Sequence, residues 1–171
     1  MLSQKMEKAY NDQINAELYS AYLYMSMASW FEGQQMMGFA HWLKVQSQEE
    51  MTHALKLYGH VNERGGRVQL AAIAGPPMDW NSPLAVFEEV LKHEQKVTGL
   101  INNLVDLAQA EKDHASFNFL QWFVGEQVEE EASAQDVIGK LKMVDQTSGG
   151  LFMLDKEMAA RVFTMPVWLT I

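Results

Sequence analysis

Apolar residues recur along most of the chain at alternating steps of three and four, the spacing that lines one face of an α-helix. From about Ser3 to Arg64 the stripe runs through Tyr10, Ile14, Glu17, Ala21, Tyr24, Ala28 and Phe31. After a break around Glu32-Gly33-Gln34 it continues through Phe39, Leu43, Gln46, Glu50, His53, Leu57 and His60. From about Pro83 to Val144 the rhythm returns in Phe87, Val90, Glu94, Val97, Ile101, Leu104 and Ala108. Past a second break near Lys112-Asp113 it passes through Leu120, Phe123, Gln127, Glu130, Ala134, Val137 and Leu141. Asn81-Ser82-Pro83 is a helix start, with a capping residue followed by proline in the first turn. The pattern therefore predicts two helical hairpins. Between them, the stretch from Gly65-Gly66 to Ser82 has roughly 18 residues and can span about 60 Å. A helix of about 27 residues needs less than that at 1.5 Å per residue. An all-α four-helix bundle with one long crossover between helices 2 and 3 follows. The bundle occupies about 3–144, a short fifth helix about 148–162 after a polar turn (Asp145 to Gly150), and an apolar tail 163–171. The 171 residues read as a single domain.

The bulk properties narrow the function. With 48% hydrophobic and 20% charged residues the chain reads as a soluble globular protein. A formal charge of -9 argues against nucleic acid, whose phosphates call for clustered Lys and Arg, and favours small cations. The absence of Cys excludes disulfide scaffolds, thiolate zinc, iron–sulfur clusters and thiol chemistry. No stretch reads as a signal peptide or reaches membrane-spanning length, so a cytoplasmic location is expected.

Glu17, Glu50, Glu94 and Glu130 interrupt the stripes where apolar residues belong, joined by His53 and Gln127 and flanked by Glu49. In each hairpin the interrupting residues lie nearly equidistant from the break, so the folded hairpins bring them to one height near mid-bundle. Burying an unpaired carboxylate costs several kcal/mol, and a cluster adds repulsion. Salt bridges, protonation or metal are the remedies. All 13 lysines and arginines fall outside the stripe positions. Protonation relieves one or two carboxyls, because a like charge raises a pKa. The remainder, with an imidazole among them, calls for a divalent pair. Glu50-x-x-His53 sets both side chains on one helical face, as di-metal sites in bundle cores require. Carboxylate oxygens with one imidazole suit iron, and zinc or manganese fit the same ligands.

The segments Glu17-Leu18-Tyr19-Ser20, Gln48-Glu49-Glu50-Met51-Thr52-His53, Lys92-His93-Glu94, Phe117-Asn118-Phe119-Leu120-Gln121-Trp122 and Glu126-Gln127-Val128-Glu129-Glu130-Glu131 closely resemble the non-haem ferritins of bacteria and archaea. The resemblance covers about Leu2 to Arg161. It implies a ferritin-like bundle in a 24-subunit homo-oligomeric shell that oxidises Fe(II) with dioxygen or peroxide and stores the Fe(III) mineral. It further implies Glu17, Glu50 and His53 as ligands of a first iron, with Glu50 bridging. By the same resemblance Glu94 and Glu50 would hold a second iron, with Glu130 close to it and Gln127 beside the centre. Glu49, Glu126, Glu129 and Glu130 resemble a third iron site, and Tyr24 and Trp122 the redox-active aromatics near the centre.

Gln127-x-x-Glu130 stands where many di-iron bundles carry Glu-x-x-His, which argues against haem-containing relatives and against a permanently held cofactor. No haem is expected, and Met51, beside the Glu-x-x-His motif, reads as interface packing. On the sequence two other readings stay open: a di-iron bundle that consumes peroxide or dioxygen without storing iron, and a purely structural bundle. His93 and His114 read as solvated or helix-end residues, His41 and His60 as core-edge or surface. The tail Val162-Phe163-Thr164-Met165-Pro166-Val167-Trp168-Leu169-Thr170-Ile171 is too apolar to stay free in water and is expected to pack on the shell or inside it.

Overall fold

In the computed structural model, residues 1–144 and 148–169 are described, and they form five helices and no strand. These are α1 (Gln4–Gly33), α2 (Met37–Glu63), α3 (Pro83–Ala110), α4 (His114–Met143) and α5 (Ser148–Met158). The predicted ferritin-like bundle with a crossover between α2 and α3 is the observed one. The fifth helix ends at Met158, short of the expected Val162, because the chain turns at Ala159-Ala160 and continues without regular structure. Asp145, Gln146 and Thr147 of the expected polar turn lie outside the described residues; Ser148 to Gly150 belong to α5.

Three of the four long helices start on a side-chain cap. Ser3 Oγ accepts from Met6 N–H at 3.2 Å, Ser82 Oγ from Ala85 N–H at 3.1 Å and Asp113 Oδ1 from Ser116 N–H at 3.1 Å. Met36, which precedes α2, has no such side chain. Its place is taken from across the fold: Asp155 of α5 accepts from the N–H groups of Gly38 (2.8 Å) and Phe39 (3.0 Å). A carboxylate there also meets the positive end of the α2 dipole.

Both hairpin turns close with a residue in the left-handed region, Gln35 (φ 60°) and Lys112 (φ 56°), neither of them glycine. Each turn carries the paired 6→1 and 5→2 bonds that end a helix abruptly, Met36 N–H to Phe31 O at 3.0 Å and Asp113 N–H to Ala108 O at 2.8 Å being the longer-range members. α2 ends the same way on Gly65 (φ 73°). From there the crossover runs along α1, whose side chains stand in for a neighbouring strand. Asn11 Nδ2 donates to Arg67 O and Asn11 Oδ1 accepts from Gln69 N–H, Asn15 donates to Ala72 O, and Ser26 donates to Pro77 O.

The hairpins pack with α1 against α3, while α5 covers α2 and α4. Among the described residues no Cα of α2 comes within 8 Å of one in α4, so that side of the bundle is spanned by long side chains instead. The apolar core is in two parts. One holds Leu23, Phe31, Phe39, Leu43, Phe87, Val137 and the α5 residues Leu154 and Met158; the other holds Met6, Tyr10, Ile14, Leu57, Ile101, Leu120 and Phe123. The polar stripe residues lie between them.

Gly38 is where α5 touches α2 most closely, since a Cβ there would sit 1.6 Å from Asp155 O. Gly38→Ala must push the two helices apart, and it is expected to destabilise the protein by about 1–3 kcal/mol. Limited proteolysis should then release α5 while the far-ultraviolet circular dichroism of the long helices stays near wild type. Gly59→Ala, with nothing within 4 Å of its Cβ, is the matched control and should be neutral or stabilising.

Candidate metal centre

The four interrupting carboxylates meet at mid-bundle. Glu17, Glu50 and Glu94 are each 1–2% exposed and Glu130 8% exposed, with His53 buried beside them. Their ligand atoms fall into three overlapping groups, each within 4.8 Å: Glu17, Glu50 and His53; Glu50, Glu94 and Glu130; His53, Glu126 and Glu130. Glu50 belongs to the first two groups and His53 to the first and third. The His53 ring stands between two carboxylates, its Nδ1 3.6 Å from Glu50 Oε2 and its Nε2 4.0 Å from Glu126 Oε2, too far to hydrogen-bond either.

Every donor that reaches the four stripe carboxylates is neutral. Gln13 Nε2 donates to Glu17 at 2.8 Å. Gln46 Nε2 donates to Glu130 at 2.6 Å and to Glu50 at 3.2 Å, tying α2 to α4 across their gap. The Tyr24 hydroxyl donates to Glu94 Oε1, and Gln127 Nε2 donates to Glu94 Oε2 at 3.2 Å. Glu17 Oε2 is buried with no donor against it. Such bonds orient carboxylates without cancelling their charge. Burial first, and Glu50 second, lift the Glu17 pKa to about 8. Burial and Glu94 lift Glu130 to about 8, burial lifts Glu94 to about 7 against the bonds from Tyr24 and Gln127, and burial with Glu94 and Glu130 beside it holds Glu50 well above the carboxylate range. A cluster that must hold protons at neutral pH is one that a divalent cation can enter by displacing them.

The outer residues are placed less uniformly than the inner ones. Glu126 is half-buried and joins His53 and Glu130, whereas Glu129 is exposed. Glu49 stands in none of the three groups; its carboxylate pairs with the Arg161 guanidinium. Trp122 lies edge-on to His53, with ring centroids 5.5 Å apart. Met51 is exposed on α2.

Sequence reasoning missed several residues. Gln13 and Gln46 each precede a stripe glutamate by four residues, a spacing that sets them on the same helical face, and that repeated Gln-x-x-x-Glu was the available signal. Arg161 carried none, because its partner is over a hundred residues away. His93, read as solvated, sits in mid-α3 with Nε2 2.8 Å from Ser20 Oγ and its ring edge-on to Tyr24; burial lowers its pKa to about 4. His60 is buried beside Tyr10 and stacked on Phe119 at 3.8 Å, the core-edge alternative rather than the surface one. His41 bonds the Arg161 carbonyl, and His114 is exposed at the start of α4.

Comparison with known proteins gives this arrangement a lineage. A family profile described as a ferritin-like domain matches residues 7–144. The chain belongs to the ferritin family. It is 46% identical over 161 residues to a bacterial non-heme ferritin of Bacteroides fragilis, covering 94% of this chain and 100% of the relative. It is 38% identical over 163 residues to a bacterial non-heme ferritin of Staphylococcus aureus, covering 95% and 98%. Among solved structures, an engineered closed form of the Archaeoglobus fulgidus ferritin superposes with a TM-score of 0.95 at 54% identity, covering 96% of this chain and 100% of that one. An open-pore ferritin from the same archaeon superposes at 0.93, also at 54% identity, covering 95% and 99%.

In this ferritin the raised carboxyl pKa values make stability fall with pH. The folded state keeps protons that the unfolded chain loses near 4.5, so the fold binds more protons above that pH. Stability therefore declines as pH rises from about 4.5 and levels off past the folded values of about 8. The metal-free protein should show a Tm that drops between about pH 5 and about pH 8, with a shallower drop in Glu17→Gln. A divalent cation should raise the Tm more at the upper end of that range than at the lower, and a Tm shift independent of pH would count against ligation by these carboxyls.

Proposed function

We propose that this chain is an iron-storage ferritin with ferroxidase activity, acting as a single domain within a 24-subunit homo-oligomeric shell in the cytoplasm. The observation that carries the proposal is the pair of ligand groups sharing Glu50, one containing His53 and one containing Glu94 and Glu130, buried with neutral donors alone. The identity to non-heme ferritins over nearly the whole chain supports the storage role. No described helix is long and apolar enough to cross a membrane.

Iron is the substrate here. Glu17, Glu50 and His53 receive one Fe(II), and Glu50, Glu94 and Glu130 the second, with Glu50 between them. Filling the site displaces the protons the carboxyls hold, so entry and deprotonation are one event. Two Fe(II) give up two electrons, which with two protons reduce dioxygen to hydrogen peroxide or, if peroxide is the oxidant, peroxide to water. The anionic ligands favour the more highly charged ferric product. Tyr24, bonded to Glu94, and Trp122, edge-on to His53, flank the centre as auxiliary electron donors. Gln127 orients Glu94, and as a neutral residue where many di-iron bundles carry a glutamate it holds the second iron less firmly. Glu126, Glu129, Glu130 and Glu49 line the way out toward the mineral.

Aerobic Fe(II) addition to the purified protein tests this reading. A particle near 24 times the subunit mass that takes up iron far in excess of its carboxylate sites supports storage. A small oligomer that stops at two or three irons per subunit would identify a di-iron enzyme without a storage role. Glu50→Ala and His53→Ala should each slow the fast phase of Fe(III) formation by about 100-fold or more, followed by stopped-flow absorbance, with the particle size unchanged. A fast phase surviving both substitutions would place the oxidation site elsewhere.

A further inference from the structure

Beyond α5 the chain doubles back across the gap between α2 and α4 and ends its described course over the acidic mouth of the centre. Arg161 opens this stretch. Its guanidinium pairs with Glu49 and lies over the Trp42 ring with Cζ 4.0 Å from the centroid, and its carbonyl accepts from His41 Nε2 at 2.8 Å. Seven residues on, Trp168 meets Trp122 edge-on at 6.2 Å, and Lys56 Nζ is held between the two rings, 4.4 Å from one centroid and 4.1 Å from the other. The segment roofs a chamber of ≈ 370 Å³ whose other walls include Glu49, His53, Glu126, Glu129 and Glu130. Two cationic side chains thus stand at the ends of an acidic chamber, each held by aromatic faces.

The segment is held unevenly. Val167 is fully exposed and Met165 half-exposed, whereas Phe163, Pro166 and Trp168 are partly buried. Arg161 Nη1 is buried without a partner, which leaves the pairing with Glu49 incompletely satisfied. A guanidinium and a divalent cation compete for the same carboxylate oxygens, so binding at Glu49 and release of Arg161 are linked.

We propose that residues 161–168 form a strap over the outer carboxylates, with Arg161 occupying at Glu49 the position a divalent cation takes, so that cations pass between the centre and the space beyond only when the strap lifts. The proposal rests on the metal-centre reading above. Arg161 is then a specificity-determining residue for cation transit, and Trp168 positions it by anchoring the far end. Trp168 carries no charge, so its removal loosens the strap while leaving Arg161 and the net charge of the chamber in place.

Zn(II), which is redox-inert, is the probe. Calorimetric titration of the assembled metal-free protein should resolve a tight class at the inner ligands and a weaker one at the outer carboxylates. Arg161→Gln should tighten the weaker class about fivefold, the scale of a partly exposed ion pair, and leave the tight class unchanged. Trp168→Ala should speed Zn(II) association with the weaker class by a similar factor in stopped-flow, with assembly unaltered on size exclusion. A weaker class identical to wild type in Arg161→Gln overturns the proposal, and so does a gain confined to Arg161→Gln with Trp168→Ala unchanged, which would reflect charge removal alone. Absence of the tight class in the wild-type protein would instead sink the metal-centre reading.

Discussion

The repulsion among four buried carboxylates is the constraint to which the rest of the structure is fitted. Each of Glu17, Glu50, Glu94 and Glu130 is removed from water, and each is approached by a glutamine or a tyrosine rather than by a lysine or arginine. A neutral donor fixes where a carboxylate points and leaves its charge available. A cationic donor at the same place would satisfy the site permanently and close it to metal. The cationic groups nearest the cluster, Arg161 and Lys56, are kept at its rim against aromatic rings.

The helix arrangement serves that constraint. α1 and α3 approach closely, which brings Tyr24 to Glu94 and Ser20 to His93. α2 and α4 stand apart, and the room between them is taken by Gln46, Glu50, His53, Glu126 and Glu130, with α5 and the chain beyond it as cover. α5 in turn depends on Asp155, whose carboxylate does for α2 what Ser3, Ser82 and Asp113 do locally for the other three long helices.

Much of this was legible in the sequence because two regularities coincided. The three-and-four spacing marked the helices, and the equal distances of Glu17 and Glu50, and of Glu94 and Glu130, from the two breaks put them at one height. Both regularities are local, or become so once a hairpin is assumed. What escaped notice was of two kinds. Gln35 and Lys112 take the left-handed turn positions although Gly33 is the nearby glycine, because the closing bonds come from where the helix stops and not from residue preference. Asp155 on Gly38, Arg161 on Glu49 and His93 on Ser20 join residues far apart in sequence, which no periodicity relates. The placement of Glu49 shows the effect most plainly: it lines one chamber with Glu126 and Glu129, as the motif around it suggests, yet its carboxylate pairs with Arg161 from beyond the last helix.

The division of the core carries a consequence of its own. A single greasy interior would transmit order from one end of the bundle to the other through continuous packing. Here two apolar lobes are separated by a polar waist, so the side-chain packing between the ends, as distinct from the helix backbones, runs through groups that change charge when protons leave. What the waist holds therefore bears on how firmly the two lobes are stitched together.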